Sequence, residues 1–253
     1  MNEWTRRSWG PIEGWGAAAP DLLLVPGAGH QAAHFRGLVE RLGCPAAALD
    51  LPGHGANSGA LLTSISDMAR AVESAVTHLG RPVALLGHSM GGAVVQETAI
   101  RGVAHLKGII LYSTGARLRV SPAIFQALEH RYDVHTRDSV RFFFAKTTPD
   151  AVLDAYLAMP HHPTNAPSLA DFRATDAFDR MADVGKIAVP TLVLGGDDDA
   201  LTPAKYQGFL ADKIPGSERV VLAGTGHLAH LEAPDAFAAA VERFVGGLAA
   251  RSN

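Results

Sequence analysis

Only one of the 253 residues, Cys44, is a cysteine. A disulfide within the chain is therefore excluded, and so is a cysteine-rich zinc site. No run of 18 apolar residues occurs, which leaves no candidate spanning helix. Neither sign of charge is in excess: 22 basic residues face 25 acidic ones, for a net charge of −3. That balance lacks the basic field a nucleic-acid-binding protein needs, and there is no acidic tail. Low-complexity tracts and internal repeats are also missing. Arg6 and Arg7 suggest a twin-arginine signal, but Gly10, Pro11, Glu13 and Gly14, and later Pro20 and Asp21, break the apolar stretch that should follow. The expectation is a short surface arm on a cytoplasmic protein.

What is present is an ordinary globular composition, 47% hydrophobic and 19% charged, enough for a sizeable core without metal or disulfide staples. Short runs rich in Val, Ile and Leu alternate with helical patterns. Residues 21–25, 46–51, 83–86, 108–112, 191–194 and 219–222 read as strands. Residues 34–42, 66–79, 91–100 and 233–245 read as helices, the last with Pro234 in its first turn. Buried strands separated by helices belong to an α/β fold, a doubly wound, mostly parallel sheet covered on both faces. Functional groups in such sheets gather beyond the carboxyl ends of the strands.

Residues 116–186 break this rhythm. They hold Phe125, Phe142, Phe143, Phe144, Tyr132, Tyr156 and Phe172, with helical patterns, no clear strand, and Pro160, Pro163 and Pro167 as interruptions. The segment is expected to be a helical cap inserted at one edge of a sheet built from residues 1–115 and 187–253. Most of its aromatics pack the cap itself; the remainder are candidates to line an apolar acyl pocket.

The sharpest motif is Gly87–His88–Ser89–Met90–Gly91–Gly92, which follows a strand and precedes a helix. A sharp strand-to-helix turn strains its central residue and crowds the positions two before and two after it, so glycine at 87 and 91 has a steric reason. The turn would lift the Ser89 hydroxyl to the strand end, where the helix N-terminus stabilises negative charge. A serine hydroxyl is a poor nucleophile at neutral pH and needs a base, itself oriented by a carboxylate. Candidates follow the last two strands: Asp197, Asp198 and Asp199 in one loop, His227 and His230 in the other. Chemistry alone leaves the three adjacent aspartates equivalent. They also lack the ligand spacing of a calcium loop. His230 reads as a satisfied histidine at a helix start. His30 and His34, four apart, have no evident third metal ligand and read as pocket-lining or surface residues. His161–His162 reads as loop.

The elbow GHSMGG, the stretch PTLVLGGDDDALTP, the stretch GTGHLAHLEAPDAF and the early DLPGHG of residues 50–55 together resemble the signature segments of the α/β-hydrolase superfamily. The resemblance runs from about residue 21 to residue 245 and is weakest across the insertion. It implies the order nucleophile, acid, base. Segments of the form G-x-x-D-x-x-x-P, counted from Gly196 to Pro203, imply Asp199 as the acid, with Asp198 the runner-up. Segments of the form G-H-x-x-x-x-E-x-P imply His227 as the base, matched by Glu232 and Pro234. The oxyanion hole would come from the N–H groups of Met90, after the nucleophile, and Ala28. Pro26 stands where many relatives of the family carry His.

The resemblance thus implies a serine hydrolase, carboxylesterase-like, acting on a small, fairly apolar ester through Ser89, His227 and Asp199, with no cofactor and no metal. Its partner is a small-molecule substrate; neither nucleic acid nor membrane is expected, and the oligomeric state is left open. A serine nucleophile argues against dehalogenase and epoxide hydrolase chemistry. Ala93, where some relatives have Arg, argues against a strongly anionic substrate at the elbow. Carbon–carbon hydrolysis of a vinylogous diketone, lyase or cofactor-independent oxygenase chemistry, and a receptor that binds without turnover remain open on the same fold.

Overall fold

The computed structural model describes residues 3–130 and 136–250. Tyr132 of the aromatic set, and residues 1–2 and 251–253 of the expected core, lie outside the described residues. The strands are β1 (Arg6–Trp9), β2 (Ile12–Gly16), β3 (Leu22–Val25), β4 (Ala46–Asp50), β5 (Val83–His88), β6 (Leu106–Tyr112), β7 (Thr191–Gly196) and β8 (Glu218–Leu222). The helices are α1 (Arg36–Arg41), α2 (Ile65–Leu79), α3 (Met90–Ile100), α4 (Pro122–His130), α5 (Arg137–Val140), α6 (Asp150–Leu157), α7 (Ala166–Asp176), α8 (Ala204–Lys213), α9 (Ala229–Glu232) and α10 (Pro234–Ala250). One sheet carries all eight strands in the order β1-β2-β4-β3-β5-β6-β7-β8. From β4 to β8 every pair is parallel; β1 and β2 join as an antiparallel extension.

Alternate residues of the central strands feed two separate cores. Leu23, Val25, Leu85, Ile109, Leu111 and Val193 pack with Met68, Val72 and Val76 of α2 and Val94 of α3 on one face. Leu22, Leu24, Leu86, Ile110, Leu192 and Leu194 pack with Leu38 and Val39 of α1 and Phe237, Val241 and Phe244 of α10 on the other. These strands are covered on both faces and therefore read as unbroken apolar runs. Truncating a fully buried member such as Leu85 to Ala should cost about 2–5 kcal/mol. Helix α3 is buried almost all round, from Met90 to Ala99, because it runs through the middle of one layer. Helix α2 starts where Ser64 accepts the Asp67 N–H at 3.1 Å, an N-cap bond.

The structure differs from the expectations in four places. Residues 6–16 are not a surface arm but the hairpin β1–β2, with Trp9 and Ile12 in the core. The Gly10 and Pro11 that read as breakers form its two-residue turn, since Trp9 pairs with Ile12. The helix expected from residue 34 begins as a 3-10 turn at Ala32–Phe35 before α1. Helix α8 follows Pro203 and was not anticipated, because only Gln207 and Leu210 on it are buried and its apolar stripe is short. The segment between β6 and β7 is helical, holding α4 to α7, yet it does not leave from an edge strand: β6 and β7 pair directly inside the sheet.

Candidate active site

Because β3, β5, β7 and β8 run parallel, the loops that follow them emerge at one rim of the sheet. Ala28, Ser89, Asp199 and His227 all lie on those loops. Ser89 caps α3 with φ 53° and ψ −115°, a backbone state that a residue with a side chain rarely holds. Its N–H donates to the Tyr112 carbonyl at 2.9 Å, and its own carbonyl accepts from Thr114 Oγ1 at 2.8 Å. The flanking glycines are sterically required: a Cβ at Gly87 would collide with the Gly91 backbone, and one at Gly91 with the carbonyls of Val25 and Pro26. Met90 opens α3, so its N–H is one of the first-turn donors that the helix itself leaves unpaired.

The structure separates the three aspartates. Asp197 accepts the Gly224 N–H at 2.7 Å, and Asp198 accepts the Lys146 N–H at 2.9 Å; both are exposed. Asp199 is buried. Its Oδ1 accepts the N–H groups of Leu201 and Thr202, each at 2.9 Å, and its Oδ2 accepts the Thr202 hydroxyl at 2.7 Å. His227 Nδ1 donates to Oδ2 at 2.9 Å. Burial alone would raise the Asp199 carboxyl. The His227 imidazole and its hydrogen bond, with those from Thr202, outweigh that and hold it well below the usual carboxylate range.

His227 is itself fixed from behind. Its carbonyl accepts from Tyr112 Oη and faces His88 Nε2, each at 3.0 Å, and its N–H donates to the Phe143 carbonyl at 2.8 Å. Glu232 adds a tie: its carboxylate accepts the N–H groups of Gly226 at 2.7 Å and Ala145 at 2.8 Å, and the Thr148 hydroxyl. The Glu232 that accompanies His227 in sequence therefore joins the histidine loop to the helical segment. His230 stands apart from the serine. It sits at the start of α9 with Nδ1 3.0 Å from Tyr112 Oη and Nε2 3.3 Å from the His34 carbonyl. Burial lowers its pKa to about 4, so it is a neutral structural ring.

Ser89 and His227 line the same narrow cleft, of about 40 Å³, with Gly27, Ala28, His30 and His88. Among the described residues no hydrogen bond joins the Ser89 hydroxyl to the imidazole; such bonds are often long before substrate arrives. Phe143, Phe172, Leu201, Ala28 and His30 also line a larger chamber of about 440 Å³, which extends between α4, α7 and Tyr156 of α6. Among the described residues, no Asp, Glu, Lys or Arg lines that chamber. His30 is the imidazole among its described lining residues; burial, then its neighbours His34 and His88, keep its pKa well below the usual value, and its Nε2 lies 2.8 Å from Tyr156 Oη.

The family model for the alpha/beta hydrolase family matches residues 22–240. The chain belongs to that family. It is an enzyme of it, carboxylesterase-like in its relatives. A pimeloyl-[acyl-carrier protein] methyl ester esterase of Neisseria meningitidis serogroup B is 30% identical over 248 residues, covering 91% of this chain and 94% of that protein. A thermophilic esterase of known structure superposes with a TM-score of 0.81 at 27% identity, over 98% of this chain and 99% of its own. The enol-lactonase of Burkholderia xenovorans LB400 shares the fold, with a TM-score of 0.82 at 22% identity over 96% and 100% of the two chains. No described helix is long and apolar enough to cross a membrane. Sequence reasoning missed Tyr156, His54 and Asp171 as parts of the site's framework. Tyr156 appeared only as one aromatic among many, and Asp171 carried no motif.

Proposed function

We propose that this hydrolase cleaves small, fairly apolar carboxylic esters through Ser89, His227 and Asp199, with residues 116–186 acting as the cap that shapes the acyl site. The single observation that carries the reading is the buried Asp199–His227 pair opening onto the same cleft as a strained serine. Ser89 Oγ attacks the ester carbonyl carbon while His227 Nε2 takes its proton. Asp199 holds the ring by Nδ1 and steadies the imidazolium. The N–H groups of Ala28 and Met90 stabilise the tetrahedral oxyanion. On collapse, the bond to the alkoxide breaks and His227 returns the proton to it, so that an alcohol leaves and the acyl group remains on Ser89 Oγ. Water, deprotonated by His227, then attacks the acyl carbon; Ser89 leaves with the proton, and the free acid departs.

A chamber with no charged side chain among its described lining residues suits a neutral acyl chain. Methyl esters are what the relatives' name assigns to them, and a methoxide leaving group needs little space beyond the cleft. The test is a serine-directed phosphonate followed by a panel of p-nitrophenyl and methyl esters. Stoichiometric labelling at Ser89 with rapid turnover of acetyl to hexanoyl esters is expected. Labelling without ester turnover would shift the reading to carbon–carbon hydrolysis or a receptor. Full activity of Ser89→Ala on the true substrate would end it.

A further inference from the structure

The mechanism above uses one buried histidine–carboxylate pair, but the protein contains a second. His54, in the loop after β4, meets Asp171, in the middle of α7, and their side chains are 2% and 0% exposed. His54 Nε2 donates to Asp171 Oδ2 at 2.9 Å, and its Nδ1 lies 3.2 Å from the Pro52 carbonyl. Acceptors at both ring nitrogens favour the imidazolium. The same Oδ2 also accepts the Gly29 N–H at 2.8 Å, while Oδ1 has no hydrogen-bond partner among the described residues. One carboxylate oxygen therefore joins the loop after β3, the loop after β4 and helix α7. A second residue of α7 meets the same point. Ser168, one turn before Asp171 and also buried, lies against Gly29, where a Cβ would collide with its hydroxyl. Gly29 holds φ +69° there and directly follows Ala28, which lines the cleft with Ser89 and His227.

We propose that Asp171 and His54 are positioning residues for the oxyanion loop: by clamping the Gly29 N–H they set the direction of the Ala28 N–H, so that the seating of α7 and the stabilisation of the oxyanion are one event. The inference rests on the serine-hydrolase reading of Ser89 and Ala28. A charged carboxylate makes the stronger, shorter bond to a backbone donor, and His54 is the group that keeps Asp171 compensated in a site closed to water. Burial works against a charged His54, but the hydrogen bond and charge of Asp171, the Pro52 carbonyl and the charge of Asp50 raise its pKa. His162, whose ring lies 5.0 Å away, has its own pKa lowered, first by burial and then by His54.

The test compares Asp171→Ala, Asp171→Asn and His54→Gln with the parent enzyme on a short p-nitrophenyl ester. Asp171→Ala should lower kcat about tenfold or more while KM moves less than about threefold, because the lost term acts on the oxyanion and not on the bound ester. Affinity for a trifluoromethyl ketone, which forms an oxyanion on Ser89, should fall in step with kcat/KM. Amide hydrogen exchange in residues 27–31 should accelerate. Asp171→Asn should recover most of all three, since its amide oxygen can take the place of Oδ2. If Asp171→Ala does not fold, His54→Gln replaces it, with a severalfold loss in kcat at unchanged KM expected. Unchanged exchange and unchanged kcat in a folded variant, or a loss carried by KM alone, would overturn the proposal. A parent enzyme that turns over no ester would sink the hydrolytic reading instead, and the exchange comparison would still decide whether the clamp orders the loop.

Discussion

His227–Asp199 and His54–Asp171 are the same chemical pair at the same depth: side-chain exposure is 5% and 0% in one, 2% and 0% in the other. What differs is the second nitrogen. His54 has both ring nitrogens against acceptors. His227 spends only Nδ1, and among the described residues its Nε2 meets no hydrogen-bond partner while the ring lines the cleft beside Ser89. A saturated imidazole cannot accept a proton from a substrate or nucleophile, so His54 can hold structure but not serve as a base towards either. The carboxylates differ in the same sense. Asp199 is supported by three further donors from Leu201 and Thr202, whereas Asp171 spends its one engaged oxygen on bridging separate segments. Burial therefore does not mark a proton acceptor; an open valence facing a cleft is what one requires.

The largest expected effect separates the pairs by activity. Under the proposed mechanism, in which the three residues work as a unit, Ser89→Ala or His227→Ala should lower kcat by about four orders of magnitude, and Asp199→Asn should lose on the order of 10³–10⁴. Asp171→Asn should remain within roughly tenfold of the parent if its role is only positioning. Steady-state kinetics on one ester would check all four, and equal losses in Asp199→Asn and Asp171→Asn would break the comparison.

Stability should rank the pairs the other way. His54→Ala leaves an uncompensated buried carboxylate and should cost about 3–5 kcal/mol in urea unfolding. His227→Ala should cost less, because Asp199 retains its other donors and removing a ring that lines the cleft would let water reach it. A larger loss for His227→Ala would overturn that ranking.

The pH dependence sharpens it further. His54 has a folded pKa raised above the ordinary 6.5. Its contribution is fully present below 6.5 and fades as pH rises through its folded value. His230 has the opposite sign. Its folded pKa is lowered to about 4, so the unfolded chain takes up the proton first, and stability falls as pH drops from about 6.5 towards 4, by on the order of 3 kcal/mol. Urea midpoints should show His230→Asn flattening the acid limb. The loss caused by His54→Gln should be greater at pH 5.5 than at pH 9. The smallest effect lies at the mouth of the chamber. Phe142 is 67% exposed and borders the cavity, so Phe142→Ser should leave stability within about 0.5 kcal/mol. It should raise KM about threefold for an octanoyl ester but not for an acetyl one.

The doubly wound core was legible because its signals are local. Runs such as Leu22–Val25 are apolar at every position, as strands buried on both faces are, and the turn residues that follow them mark their ends. The hairpin β1–β2 was not legible. Its glycines at 14 and 16 are there because the β4 backbone passes too close for a Cβ, and that neighbour lies 30 or more residues downstream. Helix α8 escaped for a related reason: only a thin stripe of it is buried, too little for a periodicity to show.

The amino-acid order by itself determined the elbow. Two glycines bracketing Ser89 between a strand and a helix follow from crowding within a single turn, so the pattern is readable without any partner. Which of three consecutive aspartates meets His227 is a property of the tertiary structure, to which the family pattern pointed but the chemistry of the residues did not. Adjacent carboxylates are chemically identical until the loop after β7 turns one of them inward against Leu201, Thr202 and a ring 28 positions away. The meeting of His54 with Asp171 across 117 positions likewise leaves no periodic trace. Charge and hydrogen bonding act through space, and separations of that size become neighbours only after the sheet and its helices have packed.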